Sequence, residues 1–162
     1  MSFALTNLGT VIGFDNWDGL VPCVFSSPRS GRSTSPVTVE YDSGATITVA
    51  PASLANALGI GLADGQQIGL QGVGGSLRAY VHFLDLEIGG RLYQGVPVAI
   101  ASDESVPFLL GRLAFWDQAS ISVDNASRTL TVAQIAPGQQ APPAPVAAAA
   151  PNAGLVLGIL LA

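Results

Sequence analysis

The chain has 162 residues, 49% of them hydrophobic and 10% charged, with 11 acidic side chains against 6 basic ones and a formal net charge of −5. A single domain of this length buries an adequate core without disulfides or metals, and the lone Cys23 has no partner for an internal disulfide. All six basic residues are arginine, so lysine Schiff-base and P-loop chemistry are excluded, and with no basic stripe to meet a phosphate backbone nucleic acid is not an expected partner.

In chain order, Met1-Ser2-Phe3-Ala4-Leu5-Thr6 lacks a basic segment leading into a long apolar one, so it does not read as a secretory signal and a cytoplasmic location is expected. Residues 1–135 read as many short runs rich in Val, Ile, Thr, Leu and Tyr, separated by Gly, Pro, Asp and Ser clusters, the pattern of a small, mostly antiparallel all-β domain. Runs at 21–25 and 37–41 flank a Ser/Pro/Gly loop holding two arginines, and predict a long hairpin with a mobile tip. Further strands are expected at 45–49, 67–73, 77–83, 84–88, 96–101, 120–123 and 129–135. Two short helices are expected, at 52–58, where Leu54 and Leu58 share a face after Pro51 and before Gly59, and at 112–118 after Leu110-Gly111. No repeat of solenoid period is present.

Composition changes after Ile135. Residues 136–162 carry no charge, five of the 11 prolines and nine alanines, so a domain boundary is placed at 135/136, with an Ala/Pro-rich tail following an extended course. Residues 155–161 are apolar but far shorter than the roughly 20 residues that cross a membrane as a helix. This segment is expected to be buried by something: a terminal sheet of a dimer, a cleft of the domain, or a membrane or other partner.

The chemistry is expected at Asp42-Ser43-Gly44-Ala45, a carboxylate on a tight turn between two apolar strands. Gly44 lets backbone amides approach the carboxylate, and the small Ala45 leaves room beside it. An ordinary Asp-Ser-Gly β-turn is the plainer reading of the tetrapeptide alone. Elsewhere, His82 and Cys23 lie in apolar runs and read as strand and core residues, and nothing marks the orienting group and oxyanion site that a Cys–His nucleophile needs. Asp15, Asp18, Asp103 and Glu104 lack the spacing of a calcium loop and read as solvated turns. Arg112 reads either as pairing with a carboxylate at a subunit contact or as an exposed helix start.

Three segments taken together resemble the retropepsin-like aspartic proteases. They are Val39-Glu40-Tyr41-Asp42-Ser43-Gly44-Ala45-Thr46-Ile47, followed by the segment 51–59; the glycine-rich Gly72-Val73-Gly74-Gly75; and Phe108-Leu109-Leu110-Gly111-Arg112, whose glycine lies 69 positions after Asp42. The resemblance covers about residues 20–135 in the right order. It implies an acid-protease β-barrel with short helices, one half of a homodimer, acting as an aspartic endopeptidase on an extended polypeptide. Asp42 is implied as the catalytic residue, supported by Ser43, Gly44, Ala45, Leu110 and Gly111, with Val73, Gly74 and Gly75 at the tip of a substrate-covering flap. The hydroxyl of Ser43 is implied to bond across the two-fold axis. No cofactor and no metal are implied. Since the chain holds a single such motif and two carboxylates must share one proton, each subunit would supply one Asp42. Glu40 departs from the pattern by placing a second acid where an apolar residue is usual. That departure, with the unusual tail, leaves a non-catalytic β-domain serving dimer assembly or peptide binding as the alternative.

Overall fold

In the fourth strand, side chains alternate between inside and outside, and Val21, Cys23 and Phe25 enter the core, as a strand with one buried face requires. The structure is a computed structural model and describes residues 1–11, 14–72, 75–116, 118–134 and 156–159. Its elements in order are β1 (Ser2–Ala4), β2 (Thr6–Val11), β3 (Phe14–Asp18), β4 (Leu20–Ser26), β5 (Val37–Tyr41), β6 (Thr48–Ala50), α1 (Ser53–Leu58), a 3-10 turn (Leu62–Asp64), β7 (Gln66–Gly72), β8 (Gly75–Ile88), β9 (Arg91–Ala101), β10 (Leu109–Leu110), β11 (Ala119–Asp124), β12 (Thr129–Gln134) and β13 (Val156–Ile159). The all-β class with short helical pieces is the one expected from sequence.

Pairing around β8–β4–β5–β10–β6–β9 returns to β8 and closes a six-stranded barrel. Closure removes the free edges that an open sheet of this size would expose. The β7–β8 hairpin projects from the barrel, with β13 on its far side, while β1, β12 and β11 form a separate three-stranded sheet and β2–β3 a two-stranded one.

β8 explains why its sequence reads as two runs. Leu77, Ala79 and Val81 pack in a small apolar cluster with Ile47, Val49, Ile68, Leu70 and Leu109, whereas Leu84, Leu86 and Ile88 belong to the main core. One continuous strand thus buries opposite faces at its two ends, and the apolar parity switches at Phe83-Leu84. A bulge accompanies the switch: Leu84 pairs with Val96 and Leu86 with Tyr93, so two residues of β9 oppose one of β8. Gly95 takes the positive φ of 64° that this needs, and its N–H donates to Asp85 Oδ1 at 2.9 Å.

Three expectations are corrected. The 26–36 loop is not a loose tip: Ser27 N–H donates to Arg32 O, Gly31 N–H to Ser27 O and Thr34 N–H to Phe25 O, all at 2.9 Å. Residues 112–118 do not form the expected helix among the described residues, because Ala114 at φ 61° leaves the right-handed region within the first turn. The strand expected at 45–49 begins only at Thr48, because the carbonyls of Ala45 and Thr46 accept instead from Arg112 and Leu113 N–H, at 3.1 and 2.8 Å. The helix expected at 52–58 is α1, closed by Gly59 at φ 62°.

Candidate active site

Asp42 follows the last residue of β5, where the chain turns. Its Oδ1 accepts from Gly44 N–H at 2.7 Å, and its own carbonyl accepts from Ala45 N–H at 3.2 Å, so the turn fixes the carboxylate through backbone donors. Ser43 is exposed at the turn's apex, and Ala45 is fully buried beneath it.

β10 holds this turn from the other side. Its two residues run parallel to β5, Leu109 beside Glu40 and Leu110 beside Tyr41, and Leu109 also pairs antiparallel with Val49 of β6. Leu110 O accepts from Asp42 N–H at 3.3 Å. Gly111 then passes so close to β6 that an added Cβ would overlap the Ile47 carbonyl group and stand 2.6 Å from the Thr48 nitrogen. Only glycine fits there. Its buried N–H donates to Thr48 Oγ1 at 3.2 Å, which satisfies a donor that would otherwise be stranded. The structure therefore brings together Asp42, Gly44, Ala45, Leu110 and Gly111 of the sequence-predicted set. Thr48 is a supporting residue that sequence reasoning missed, because a threonine in a β-run carries no mark of being the acceptor for a distant glycine.

Glu40 faces acid neighbours. Burial, then the charge and hydrogen bond of Asp18, then the charge of Asp42, push its carboxyl up to about 7. Asp18 ends β3 and is not a free solvated turn: its Oδ1 also accepts from Gly19 N–H at 2.6 Å. Tyr41 stacks on Trp116 with ring centroids 5.8 Å apart, and its phenol is raised by burial and by Asp42 and lowered by Arg112.

A cavity of about 350 Å³ opens between the β7–β8 hairpin and residues 103–109. Val49, Leu70, Leu77, Val106 and Leu109 line it. Leu109 ties the cavity to the site, since the same residue pairs with Glu40, two positions before Asp42. The hairpin closes at Gly72 opposite Gly75, and of the three flap-tip candidates Gly75 begins β8, while Val73 and Gly74 lie outside the described residues.

The alternative nucleophile is not assembled. Cys23 pairs with Ile88, six residues along β8 from His82, or about 20 Å at the rise of a strand. Burial, with a smaller contribution from Glu87, pushes the Cys23 thiol up to about 12, and His82 Nε2 donates to Leu62 O at 3.0 Å. Asp103 accepts from Ser105 N–H at 2.7 Å within its own turn. No helix among the described residues is long and apolar enough to cross a membrane.

A family model described as aspartyl protease matches residues 30–113, a span that holds the Asp42 turn, the hairpin and Gly111. Comparison with curated protein sequences finds no match. Among solved structures, a retropepsin-like aspartic protease from Rickettsia conorii is similar with a TM-score of 0.55 at 14% identity, over 80% of this chain and 97% of that one. The EIAV protease, solved in complex with the inhibitor HBY-793, is similar over 59% of this chain and 82% of its own with a TM-score of 0.44 and 20% identity. With its closed barrel, its carboxylate turn and the glycine locked beneath it, the chain belongs to the aspartyl protease family and has the retropepsin-like fold.

Proposed function

We propose that the protein is an aspartic endopeptidase whose active unit is a homodimer, each subunit contributing one Asp42. The observation that carries this reading is the lock around Asp42. Gly44 N–H holds the carboxylate, Leu110 O holds its backbone, and the Gly111–Thr48 contact leaves the turn little freedom. Fixing a carboxylate in this way before substrate arrives is what positioned acid–base chemistry requires.

One carboxylate does not suffice. Hydrolysis of this type uses an ionised carboxylate to take a proton from water while a protonated partner polarises the peptide carbonyl, and two adjacent carboxylates share one proton because both cannot ionise together. The chain offers a single Asp-Ser-Gly turn, so the partner comes from a second copy about a two-fold axis. Ser43, exposed at the apex, supports the contact across the axis. The β7–β8 hairpin serves as the flap, with Val73, Gly74 and Gly75 at its tip, and the substrate is an extended polypeptide whose apolar side chains enter the cavity lined by Val49, Leu70 and Leu109. The chemistry calls for no cofactor. Residues 1–135 form the catalytic domain and 136–162 an appended segment.

The test is a mixing experiment on a peptide library. Asp42→Asn keeps the shape of the side chain and removes its ionisation, so the pure variant loses hydrolysis while retaining its fold. Mixed with unaltered chains, it lowers activity in proportion to the square of the unaltered fraction. A linear fall contradicts the shared site, and full activity of the pure variant removes Asp42 from the mechanism.

A further inference from the structure

β7 has the sequence Gln66-Gln67-Ile68-Gly69-Leu70-Gln71-Gly72, without a charge or a proline. Strands left at a sheet edge are ordinarily blunted by charged side chains, proline or bulges, since a bare row of N–H and C=O groups recruits other chains. β7 carries none of these devices, pairs in unbroken register with β8 over seven residues and is exposed at Gln66, Gln67, Gly69 and Gln71. It is an edge built to be paired. The structure pairs it: β13 lies parallel to it, Val156 beside Gly69, Leu157 beside Leu70, Gly158 beside Gln71 and Ile159 beside Gly72. Two of those β7 residues, Leu70 and Gly72, also line the cavity that Leu109 of β10 borders.

We propose that the outer edge of β7 is a binding site for an extended, uncharged, apolar peptide, and that residues 156–159 of the same chain are its resident ligand. Main-chain pairing supplies the affinity in such a mode, and the absence of charge in the ligand matches the absence of charge on the strand. The 21 residues between Gln134 and Val156 reach up to about 70 Å when extended, more than the width of a domain of this size. A peptide arriving from outside must displace this segment to use the same edge. The site itself follows from the pairing alone; only its effect on hydrolysis rests on the proposed peptidase function.

The register gives a direct test in the full-length chain. Neighbouring strands place paired residues about 4.8 Å apart, within the span of a disulfide. Gln71→Cys combined with Gly158→Cys is therefore expected to form a disulfide within one chain on mild oxidation. The off-register pair Gln67→Cys with Gly158→Cys is not. Cys23 does not compete, being buried with its thiol raised to about 12. Equal yields from the two pairs, or a bridge only between chains, overturn the proposal. In a second measurement, Leu157→Asp with Ile159→Asp places two charges in the ligand, and amide exchange across Ile68–Gly72 is expected to speed up at least tenfold; unchanged exchange overturns the site. The same variant is expected to lower KM for a short apolar peptide severalfold at constant kcat. If the chain hydrolyses nothing, the peptidase reading fails while bridge and exchange still decide the site. If it hydrolyses peptides but neither bridge nor exchange responds, the site fails alone.

Discussion

The Asp42 turn and the β7–β8 hairpin use glycine in opposite ways. At Gly111, behind the turn, an added Cβ would collide with the backbone of Ile47 and Thr48, whereas at Gly69 and Gly75, in the hairpin, nothing stands within 4 Å. One region is determined by backbone packed on backbone. The other is a ribbon whose outer edge carries β13. The division suits the proposed roles, since a carboxylate must be held to a fraction of an ångström, whereas a strand that receives varied peptides needs a clear edge and adaptable sides.

The comparison breaks most sharply at Gly111. Gly111→Ala has no flexible neighbour to push aside, so the backbone of 45–48 must move and the hydrogen bond from residue 111 N–H to Thr48 is disrupted with it. The expected cost is about 3–5 kcal/mol, at the severe end for a single methyl group, with hydrolysis lost in step. Denaturant unfolding followed by circular dichroism reads it. A midpoint within error of the unaltered chain would show that the turn is not held from behind.

What the sequence shows of these two regions differs for the same reason. The strands at 21–25 and 37–41 and the helix before Gly59 are legible because local alternation, Pro51 and Gly59 carry them. The motif residues around Asp42 and Gly111 are legible only as a resemblance, since the contact that joins them spans 63 positions between Thr48 and Gly111. β10 is too short to show a period, and its two leucines are defined by pairing with β5 and β6. The strand boundary at 45–48 was hidden because its hydrogen bonds go to Arg112 and Leu113 rather than to a ladder. The course of 156–159 along β7 was hidden as well, because an apolar segment announces that it needs cover and does not name the strand that gives it.

Charge separates the regions a second time. β7 has none, while Asp18, Glu40 and Asp42 gather at the turn, and Glu40 lies between Leu20 of β4 and Leu109 of β10 with its carboxyl raised to about 7. The folded chain therefore holds the Glu40 proton more tightly than the unfolded chain, whose value is the ordinary 4.5. The resulting stabilisation is complete below pH 4.5 and is lost as pH rises through about 7. Glu40→Gln resembles the protonated form at every pH. It is expected to match the unaltered chain at pH 4 and to exceed it at pH 8 by on the order of 1 kcal/mol, a figure reduced for solvent screening of this half-exposed group. Urea unfolding at a series of pH values checks this, and equal stability at pH 8 would mean that burial, Asp18 and Asp42 together do not raise the Glu40 carboxyl.

The smallest effect has the opposite sign to the first. Gly69 sits in β7 without a left-handed φ and with open space where a side chain would stand. Alanine there narrows the conformations open to the unfolded chain and costs the folded strand nothing, so Gly69→Ala is expected to stabilise the protein by about 0.4–1 kcal/mol. For a chain of this size that is a rise in Tm of roughly 1–4 °C. Gly69 is also the partner of Val156, which gives the measurement a second use. If the edge accepts any extended peptide, one methyl group on it leaves the amide exchange of Leu70 and Gly72 unchanged while Tm rises. If Tm instead falls by several degrees, the edge is sterically committed in the way Gly111 is, and the contrast between a locked turn and an open ribbon does not hold.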